Sequence, residues 1–403
     1  MTHRAPHDRG ARLRNSHVKR LRVGVLYGGR SGEHEVSLAS AAAVFANIDR
    51  KRYEPIAIRI EKDGRWVLAD RPPSAASAAE VIDQIKSDTA RLRGGREVFL
   101  PPRPGDETLV LVDSRSTRAD DAEASAALTG FGLDVLFPVL HGPYGEDGTM
   151  QGLLELANVA YVGCGVLASA VGMDKAVMKV LFQAKGLRVS DWQVVWRRSW
   201  RRDPAAVSAA VEQALGYPLF VKPANLGSSV GISKVHAREE LAPAIDLAAQ
   251  FDRKLVIEAA VKDAREIECA VLGNDDAQAS VPGEVVPSRE FYDYAAKYID
   301  AGSRTEIPAR LTDKQADDVR RQAVVAFEAI DGAGFARVDF LMTRSTGRLY
   351  VNEINTIPGF TTISMFAKLW AASGVDYPAL VDRLITLALE RHAEKQELKT
   401  SAF

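Results

Sequence analysis

The residues that could do chemistry concentrate near the C-terminus, in the segment GFARVDFLMTRSTGRLYVNEIN. Read with the two-residue period of a strand, Arg337 and Asp339 share one face of a first strand. Glu353 and Asn355 share one face of a second strand. The polar residues Thr343–Arg348 between them predict a hairpin turn. If the strands pair so that Asp339 faces Glu353, then Arg337 faces Asn355.

Two carboxylates directly opposite each other on one sheet face repel and need a compensating cation. Carboxylate and amide oxygens suit Mg²⁺, which usually also takes oxygens from the phosphates of a substrate. Phe340, Leu341 and Ile354 flank the acidic residues and are typical of buried positions, so a merely solvated acidic hairpin fits less well. The hairpin therefore predicts a divalent-metal site that bridges to a triphosphate.

A second informative segment is VKPANLGSSVGISKV (Val221–Val235), where Lys222 ends one strand and a Gly-Ser-Ser loop precedes another. Backbone N–H groups and hydroxyls of such a loop can bind phosphate oxygens, with the lysine as a point charge. The loop is not a Walker A motif, because its glycines open a strand rather than a helix. By itself the segment is equally compatible with an ordinary tight turn.

Two further charged residues fit a nucleotide site: Lys175 in MDK, and Glu258 at the end of a strand. The segment Gly24–Glu35 (GVLYGGRSGEHE) could suggest a dinucleotide instead. It lacks the G-x-G-x-x-G spacing, however, and no acidic residue follows at the distance of a ribose ligand. A nicotinamide cofactor is therefore not favoured.

The elements that must position these residues fall into two kinds. At the N-terminus, LRVGVLYGG, EVSLASAAAVFANI and YEPIAIRI predict strand, helix and strand, which is a βαβ unit of a parallel sheet, and LDVLFPVLHG predicts another buried strand. The weakly patterned segment Asp70–Ala126 between them, with one helix and one strand, predicts an elaboration of this first domain. After MDKAVMKVLFQAKG the strands are short and polar at alternate positions, which favours a mixed or antiparallel sheet. A helix is predicted over Tyr377–Lys399.

Length and composition set limits on function. The 403 residues allow two or three domains, and the formal net charge of −1 gives no general attraction to nucleic acid or to an anionic membrane. No apolar run is long enough to span a bilayer. Cys164 and Cys269 are far apart, which predicts two reduced thiols. The first 20 residues are basic without an apolar core, which predicts a disordered tail or a misassigned start rather than a secretory signal; an organelle-targeting peptide stays open.

Eight motifs in this order resemble those of the D-alanine–D-alanine ligases of the ATP-grasp superfamily, from about Leu21 to the C-terminal helix. They are GGRSGEHEVS, HGPYGEDG, MDK, KPANLGSSVG, REIE, FYDYAAKY, GFARVDF and NEINTIPGFT. The resemblance implies an α/β and α+β chain in which a parallel-sheet, Rossmann-like domain precedes a two-lobed ATP-grasp fold. The implied divisions are a tail at 1–20, a substrate-binding domain at 21–163, a central lobe at 164–258 and a C-terminal lobe at 259–403.

The activity that the resemblance implies is the joining of two D-alanines for peptidoglycan precursors, with hydrolysis of ATP to ADP. The first carboxylate attacks the γ-phosphate, and the amine of the second D-alanine then attacks the resulting acyl phosphate. ATP, two Mg²⁺ or Mn²⁺ ions and two molecules of D-alanine are the implied ligands, without nucleic acid or membrane. A cytoplasmic homodimer is the implied state.

The resemblance also assigns residues. The implied catalytic residues are Glu33, Ser228, Tyr298, Arg337 and Gly359. The implied substrate-binding residues are His141 and Ser364. The implied nucleotide-binding residues are Lys175, Lys222, Ser229, Glu258, Ala259, Val261, Glu266 and Lys297. The implied metal ligands are Asp339, Glu353 and Asn355.

Three alternatives remain at this stage. Glu33 could simply be a favourable charge in the first turn of a helix. The chain could use D-lactate or D-serine as second substrate, or it could be a catalytically dead nucleotide-binding module, although no phosphate or metal position is lost. The segment Glu258–Glu266 (EAAVKDARE) departs from the family pattern, because it is one residue longer and lacks the usual glycine.

Overall fold

The structure is a computed structural model, and it describes residues 19–87, 95–105, 108–114, 126–286 and 304–399. Lys297, Tyr298 and the rest of FYDYAAKY lie outside these residues, as does most of the predicted N-terminal tail. Among the described residues, no helix combines the length and the apolar composition that a membrane span requires. Both cysteines are buried free thiols, as predicted.

The predicted βαβ unit is confirmed. Strand β1 (Leu21–Gly28) is followed by helix α1 (His34–Asn47) and strand β2 (Tyr53–Ile60), and β1 pairs in parallel with β2 along its whole length. Strand β7 (Val135–Pro138) lies parallel to β1 on the other side. Six consecutive residues at the end of β1 are buried, because helices and loops cover both faces of the sheet.

The predicted elaboration extends this sheet with antiparallel strands, in the order β6-β5-β4-β3-β2-β1-β7. The predicted helix and strand are both present, as α2 (Ala78–Ser87) and β5 (Leu109–Ser114). The other added strands are β3 (Trp66–Leu68), β4 (Arg96–Phe99) and β6 (Ala126–Phe131). Only the strands around β1 are therefore parallel.

A second, antiparallel sheet has the order β10-β9-β11-β8. Its strands are β8 (Trp192–Trp196), β9 (Leu219–Pro223), β10 (Ser233–Val235) and β11 (Lys254–Ala259). The helices that lead to this sheet are α3 (Thr149–Leu156), α4 (Val166–Met173) and α5 (Lys175–Ala184). The helices that follow its strands along the chain are α6 (Arg197–Arg202), α7 (Pro204–Leu215) and α8 (Arg238–Phe251).

A third sheet, also antiparallel, has the order β15-β14-β12-β16-β17, with β13 on β12. Its strands are β12 (Ala264–Gly273), β13 (Gln278–Ala279), β14 (Gly283–Val286), β15 (Arg304–Glu306), β16 (Gly334–Thr343) and β17 (Leu349–Asn355). The accompanying helices are α9 (Asp313–Ala329), α10 (Met365–Ala372) and α11 (Tyr377–Glu397). The second half of β16 alternates between buried and partly exposed residues, which is the pattern of a sheet with one wet face.

The largest hydrophobic core joins the first sheet to the C-terminal helices. Val25 and Phe137 of the first sheet belong to the same buried cluster as Phe360, Phe366 and residues of α11. The rings of Phe137 and Phe360 lie 5.8 Å apart, and those of Phe335 and Phe366 lie 5.3 Å apart. The contact between Phe137 and Phe360 places the NTIPGFT loop at the edge of the first sheet. The boundaries of the three domains stay predictions.

Candidate active site

The β16–β17 hairpin has the pairing on which the predicted metal site depends. Asp339 faces Glu353, Arg337 faces Asn355, and the pairing is irregular immediately after Asp339. The neighbouring strand β12 adds a third carboxylate, because Glu268 lies opposite Asp339 on its other side. Three carboxylates therefore cross the sheet in one row, which sharpens the need for positive charge.

Arg337 supplies part of that charge. Its Nε and Nη2 atoms donate to the two oxygens of Asp339, each at 2.7 Å, and Nε lies 3.1 Å from Glu268 Oε2. Burial alone would lower the pKa of Arg337, but Asp339 and Glu268 outweigh it and raise the pKa well above its ordinary value. In the free protein, the Arg337 guanidinium lies against Asp339. A metal ion would be held by the same carboxylate.

The three predicted metal ligands are close together. Asn355 Nδ2 donates to Asp339 Oδ2 at 3.0 Å, and Lys175 Nζ lies 3.5 Å from Glu353 Oε2. Within the described ranges, no three His, Cys, Asp or Glu side chains form a ready-made metal cluster. Two carboxylates and an amide nevertheless form an oxygen donor set that fits Mg²⁺ or Mn²⁺ with bound phosphates. In the free protein, each of the two carboxylates lies next to a cationic side chain instead.

One cavity of about 350 Å³ collects nearly all the predicted site residues that the structure describes. Its predicted nucleotide and metal residues are Lys222, Ser229, Glu258, Ala259, Val261, Glu266, Asp339, Glu353 and Asn355. Its predicted catalytic and substrate residues are Glu33, His141, Ser228, Arg337, Gly359 and Ser364. Lys175 lines an adjoining space of about 40 Å³ that shares Ser228, Ser229 and Glu353 with the first.

A buried charged cluster forms the back of the cavity. Glu258 Oε2 accepts hydrogen bonds from Lys222 Nζ at 3.0 Å and from Ser190 Oγ at 3.2 Å, and Lys179 Nζ lies 3.3 Å away. Burial by itself would raise the pKa of Glu258, but the two lysines lower it to about 2. Burial lowers the pKa of Lys179, and Glu258 opposes that shift.

The glycine-rich loop runs from β9 to β10, so its glycines precede a strand, as predicted. Ser228 and Ser229 have φ angles of 51° and 58°, which are unusual for residues with a side chain. Gly231 is required where it stands, because a Cβ atom there would lie 2.6 Å from the Phe251 ring. Lys175 Nζ donates to Leu226 O at 2.8 Å, which ties the start of the loop to α5.

Glu33 connects the first sheet to this loop. Ser228 Oγ donates a hydrogen bond to Glu33 Oε1, between residues that are 195 positions apart. Glu33 precedes α1 as its N-cap, but its side chain makes no capping bond, and the residue is buried. Gly142 packs against it so closely that a Cβ atom would lie 2.7 Å from Glu33 Oε2. These contacts favour the substrate-site interpretation over that of a solvated charge at a helix start.

His141 is held from both ring nitrogens. Its Nε2 lies 3.0 Å from Ser40 Oγ, and its Nδ1 lies 3.0 Å from Ile357 O. Burial lowers the pKa of His141, although the nearby Glu33 opposes this, so the neutral ring is favoured. The Phe360 N–H also donates to Ser40 Oγ, at 3.3 Å.

Two predicted residues of the NTIPGFT region are close neighbours. A Cβ atom on Gly359 would lie 3.2 Å from Ser364 Oγ, so only a small residue fits there without a shift. The Thr361 N–H donates to Ser364 Oγ at 3.0 Å. The backbone of this loop can therefore approach a reacting group closely.

The segment before Glu266, which departs from the family pattern, turns at an aspartate. Asp263 has a φ of 47°, so it adopts the left-handed conformation, which aspartate tolerates better than most residues. The Arg344 N–H donates to Asp263 O at 3.0 Å and fixes the turn to the β16–β17 hairpin. Glu266 still reaches the cavity.

Three charged residues were missed by sequence reasoning. Glu146, from HGPYGEDG, lines the cavity, and burial followed by repulsion from Glu33 raises its pKa to about 8. Lys179 lies four residues after Lys175 and so on the same helical face, which is a signal that was available. Glu268 lies two residues after Glu266, on the same strand face, and offered the same kind of signal.

The fold and the site define an ATP-grasp protein: an antiparallel lobe with a glycine-rich loop faces a second lobe with paired carboxylates across one cavity. Two family models match, described as D-ala D-ala ligase N-terminus over residues 22–164 and D-ala D-ala ligase C-terminus over residues 181–386. The chain belongs to the D-alanine–D-alanine ligase family, and the enzymes of that family are ADP-forming ligases that use ATP.

Known relatives cover almost the whole chain. The D-alanine–D-alanine ligase of Heliobacterium modesticaldum is 48% identical over 378 residues, which are 94% of this chain and 97% of that protein. The one from Kocuria rhizophila is 48% identical and covers 92% and 94%. Among solved structures, the D-alanine–D-alanine ligase from Coxiella burnetii has a TM-score of 0.74 at 35% identity, covering 94% and 96%. The VanG D-Ala:D-Ser ligase from Enterococcus faecalis has a TM-score of 0.73 at 33% identity, covering 92% and 100%.

Proposed function

We propose that this protein joins two D-alanines into D-alanyl-D-alanine for peptidoglycan precursors, with the residues of the cavity in the roles given below. An oxygen of the first D-alanine carboxylate attacks the γ-phosphorus of ATP, and ADP leaves. The nitrogen of the second D-alanine then attacks the acyl carbon, the phosphate leaves, and the amine loses a proton. The observation that carries the proposal is that the cavity lined by Lys222 is also lined by Glu33 and Ser228, which are hydrogen-bonded to each other.

Transfer of the phosphoryl group depends on charge neutralisation and alignment. Lys175 and Lys222, with Lys297 from the segment outside the described residues, neutralise the phosphates. Arg337 and the Gly359 N–H stabilise the negative oxygen of the tetrahedral intermediate. Bound metal would relieve the row of carboxylates and release Arg337 from its pairing with Asp339 toward this task.

Asp339, Glu353 and Asn355 would hold two Mg²⁺ or Mn²⁺ ions. When bound, such ions neutralise phosphate charge and help to align the γ-phosphoryl group. The chain's own contribution is to fix the three oxygen donors by the register of β16 and β17. The adenine contacts the backbone around Ala259–Val261, with Glu258 beside it.

The other residues of the cavity bind either ATP or one of the two D-alanines. Glu266 binds the ribose hydroxyls, and Ser229 contributes to the phosphate loop. Glu33 pairs with the ammonium of the first D-alanine, and His141 lies near its carboxyl group. Ser364 binds the carboxylate of the second D-alanine.

Closure over the site involves a lid. Ser228 and Tyr298 link to Glu33 and close the lid, which excludes water from an acyl phosphate that would otherwise hydrolyse. The Ser228–Glu33 hydrogen bond supports this arrangement. By the same family resemblance, we propose a homodimer that acts in the cytoplasm.

The test is product formation by the purified chain with ATP, Mg²⁺ and either D-alanine or L-alanine. We expect one ADP and one D-alanyl-D-alanine per turnover with the D-isomer, identified by mass spectrometry, and little ADP with the L-isomer. ADP release without any dipeptide would contradict the proposal. Similarity to VanG makes D-serine a second candidate for the acceptor, so a competition between D-alanine and D-serine belongs to the same assay.

A further inference from the structure

Lys179 is a buried lysine to which neither the family resemblance nor the reaction assigns a task. It lies one turn after Lys175 on the same face of α5, and its exposed fraction is 0%. Its Nζ atom lies 3.3 Å from Glu258 Oε2 and has no hydrogen-bond partner with good geometry among the described residues. A lysine is seldom fully buried unless its charge is paired. It does not line the cavity, so it can act on a ligand only through Glu258.

The charges of this cluster do not balance without a ligand. Lys179 and Lys222 share one carboxylate, although a single ammonium would neutralise it. The two lysines differ in position: Lys222 lies on the cavity wall, whereas Lys179 lies behind Glu258. Lys222 is therefore the lysine that can turn to an incoming phosphate, and it can do so without leaving Glu258 unpaired.

One carboxylate oxygen of Glu258 takes no part in these contacts. Its Oε1 atom is buried and has no hydrogen-bond partner among the described residues, while Oε2 takes both lysines and Ser190. An ionised carboxylate can only accept hydrogen bonds. It suits a base with a 6-amino group, such as adenine, and opposes one with a 6-oxo group, such as hypoxanthine.

We propose that Lys179 is a positioning residue for the nucleotide. As the standing counter-ion of Glu258, it frees Lys222 for the phosphates and keeps Glu258 as an acceptor for the 6-amino group of the base. The inference rests on the proposed function in that it takes ATP as the ligand of this cavity. It adds to that function a residue that sets both phosphate affinity and the choice of base.

The first experiment replaces Lys179 by methionine, which keeps the length of the side chain and removes the charge. Lys185→Met is the matched control, because Lys185 is exposed at the end of the same helix. KM and kcat are measured with ATP and with inosine triphosphate. A hydrogen bond to a charged group is commonly worth about a 10- to 100-fold change in affinity. We expect Lys179→Met to raise KM for ATP by about 10-fold or more, with a smaller change in kcat, and Lys185→Met to match the wild type.

The second experiment removes both charges with Lys179→Met plus Glu258→Gln. Lys222 is then free again, and the glutamine amide can donate or accept. We expect the double variant to recover part of the ATP affinity that Lys179→Met loses, while its preference for ATP over inosine triphosphate falls about 10-fold or more below that of the wild type. A lysine with a merely structural role would not produce the recovery, whereas the loss of base preference reports on Glu258. In the double variant the remaining charge, that of Lys222, lies on the cavity wall, so this variant serves the comparison even where Lys179→Met does not fold.

Binding of ADP, inosine diphosphate and adenosine, followed by calorimetry, separates this inference from the proposed function. If the ligase assignment fails, the wild type makes no dipeptide, yet the binding comparison is still decisive. We expect Lys179→Met to weaken the binding of ADP more than that of adenosine. Lys222 stays paired with Glu258 in this variant and is less available to the phosphates, which adenosine lacks. Wild-type affinity for ADP in Lys179→Met would overturn the inference.

Discussion

At the scale of single residues, the charged side chains of the active site are paired with one another before any ligand binds. Arg337 pairs with Asp339, Lys175 lies near Glu353, and Lys222 pairs with Glu258. Each pairing holds in place a side chain that the reaction needs elsewhere. Binding of ATP and metal therefore exchanges protein–protein pairs for protein–ligand pairs instead of creating isolated charges.

Glu353 carries the first prediction. Glu353→Gln should lose most ligase activity, because it removes a metal ligand. The free protein should keep or gain thermal stability, because repulsion from Asp339 is relieved. The loss of the ion pair with Lys175, whose Nζ lies 3.5 Å from Glu353 Oε2, limits the gain. Activity assays over a magnesium titration and thermal unfolding check both parts, with the exposed Asp317→Asn as control. Chelation should abolish wild-type activity. Full activity of Glu353→Gln would remove it from the metal site.

Glu33 carries the second prediction. Glu33→Gln weakens one charge-assisted bond to the first ammonium, worth about 1.5–3 kcal/mol, or roughly a 10- to 150-fold loss at the tighter D-alanine site. KM for ATP should change little. Steady-state kinetics with both substrates measures this, and Glu35→Gln is the control because Glu35 lies in the same turn of α1 and pairs with Lys62. Normal D-alanine kinetics in Glu33→Gln would return Glu33 to the role of a helix-start charge.

Glu146 predicts a dependence of stability on pH. Its pKa in the folded protein is raised to about 8, so the protonated form is favoured on folding. This stability is present below the ordinary pKa of about 4.5 and is lost as the pH rises through about 8. Glu146→Gln mimics the protonated form. Its melting temperature relative to the wild type should therefore rise between pH 5 and pH 9, by about 1–2 °C for each kcal/mol. A difference that does not change with pH would contradict this, and the exposed Glu239→Gln is the control.

At the scale of elements, two loops connect the hairpin side of the cavity to residues of the first domain. The glycine-rich loop between β9 and β10 contacts Glu33 through Ser228, and the NTIPGFT loop contacts His141 through Ile357 O. Both contacts join segments that lie far apart in sequence. The choice of second substrate belongs to this scale, because in the proposed mechanism it depends on closure of a lid that involves Tyr298.

The lid leads to the fourth prediction. The second substrate attacks as a neutral amine, so dipeptide synthesis should rise with pH through the neutral to alkaline range. A tyrosine hydroxyl that ties the lid to Ser228 and Glu33 favours the amine. We expect the wild type to make only dipeptide from D-alanine and D-lactate in competition, at any pH from about 6 to 9. Tyr298→Phe should loosen this restriction. Mass spectrometry of the products decides, and abundant depsipeptide from the wild type at low pH would contradict the prediction.

At the scale of the whole molecule, the C-terminal helix α11 joins the third sheet to the first. Arg391 lies over the ring of Tyr161 with 4.5 Å to the centroid, and it donates to the carbonyls of Tyr161 and Gly163. Asp382 on the same helix accepts from Arg52 and Tyr53. These contacts set how the substrate residues of the first sheet meet the NTIPGFT loop.

The fifth prediction tests this attachment. Arg391→Ala leaves partly buried carbonyls without their donor, which should lower the free energy of unfolding by about 1–3 kcal/mol. Urea denaturation measures the change. The control is Arg383→Ala, because Arg383 lies on the same helix and pairs with the exposed Glu390. Equal midpoints for both variants would show that Arg391 is not a point of attachment.

The sequence by itself determined the local pieces of this protein. The βαβ unit and the hairpin turn follow from periodicity and turn chemistry, because these depend on neighbours along the chain. The same holds for the strand faces that Arg337 shares with Asp339 and Glu353 shares with Asn355. The order of eight motifs pointed to the family for the same reason, since each motif is local.

Only the tertiary structure decided how charges from distant segments are paired. Lys179 and Glu258 are 79 positions apart, and nothing in the periodicity of either element shows that they meet. The third carboxylate opposite Asp339 required the position of β12 next to β16, and the left-handed Asp263 required the turn itself. Pairing of this kind depends on burial and on which sheets face one another. The energy of a buried charge is set by the groups that surround it in space, and these are not its neighbours along the chain.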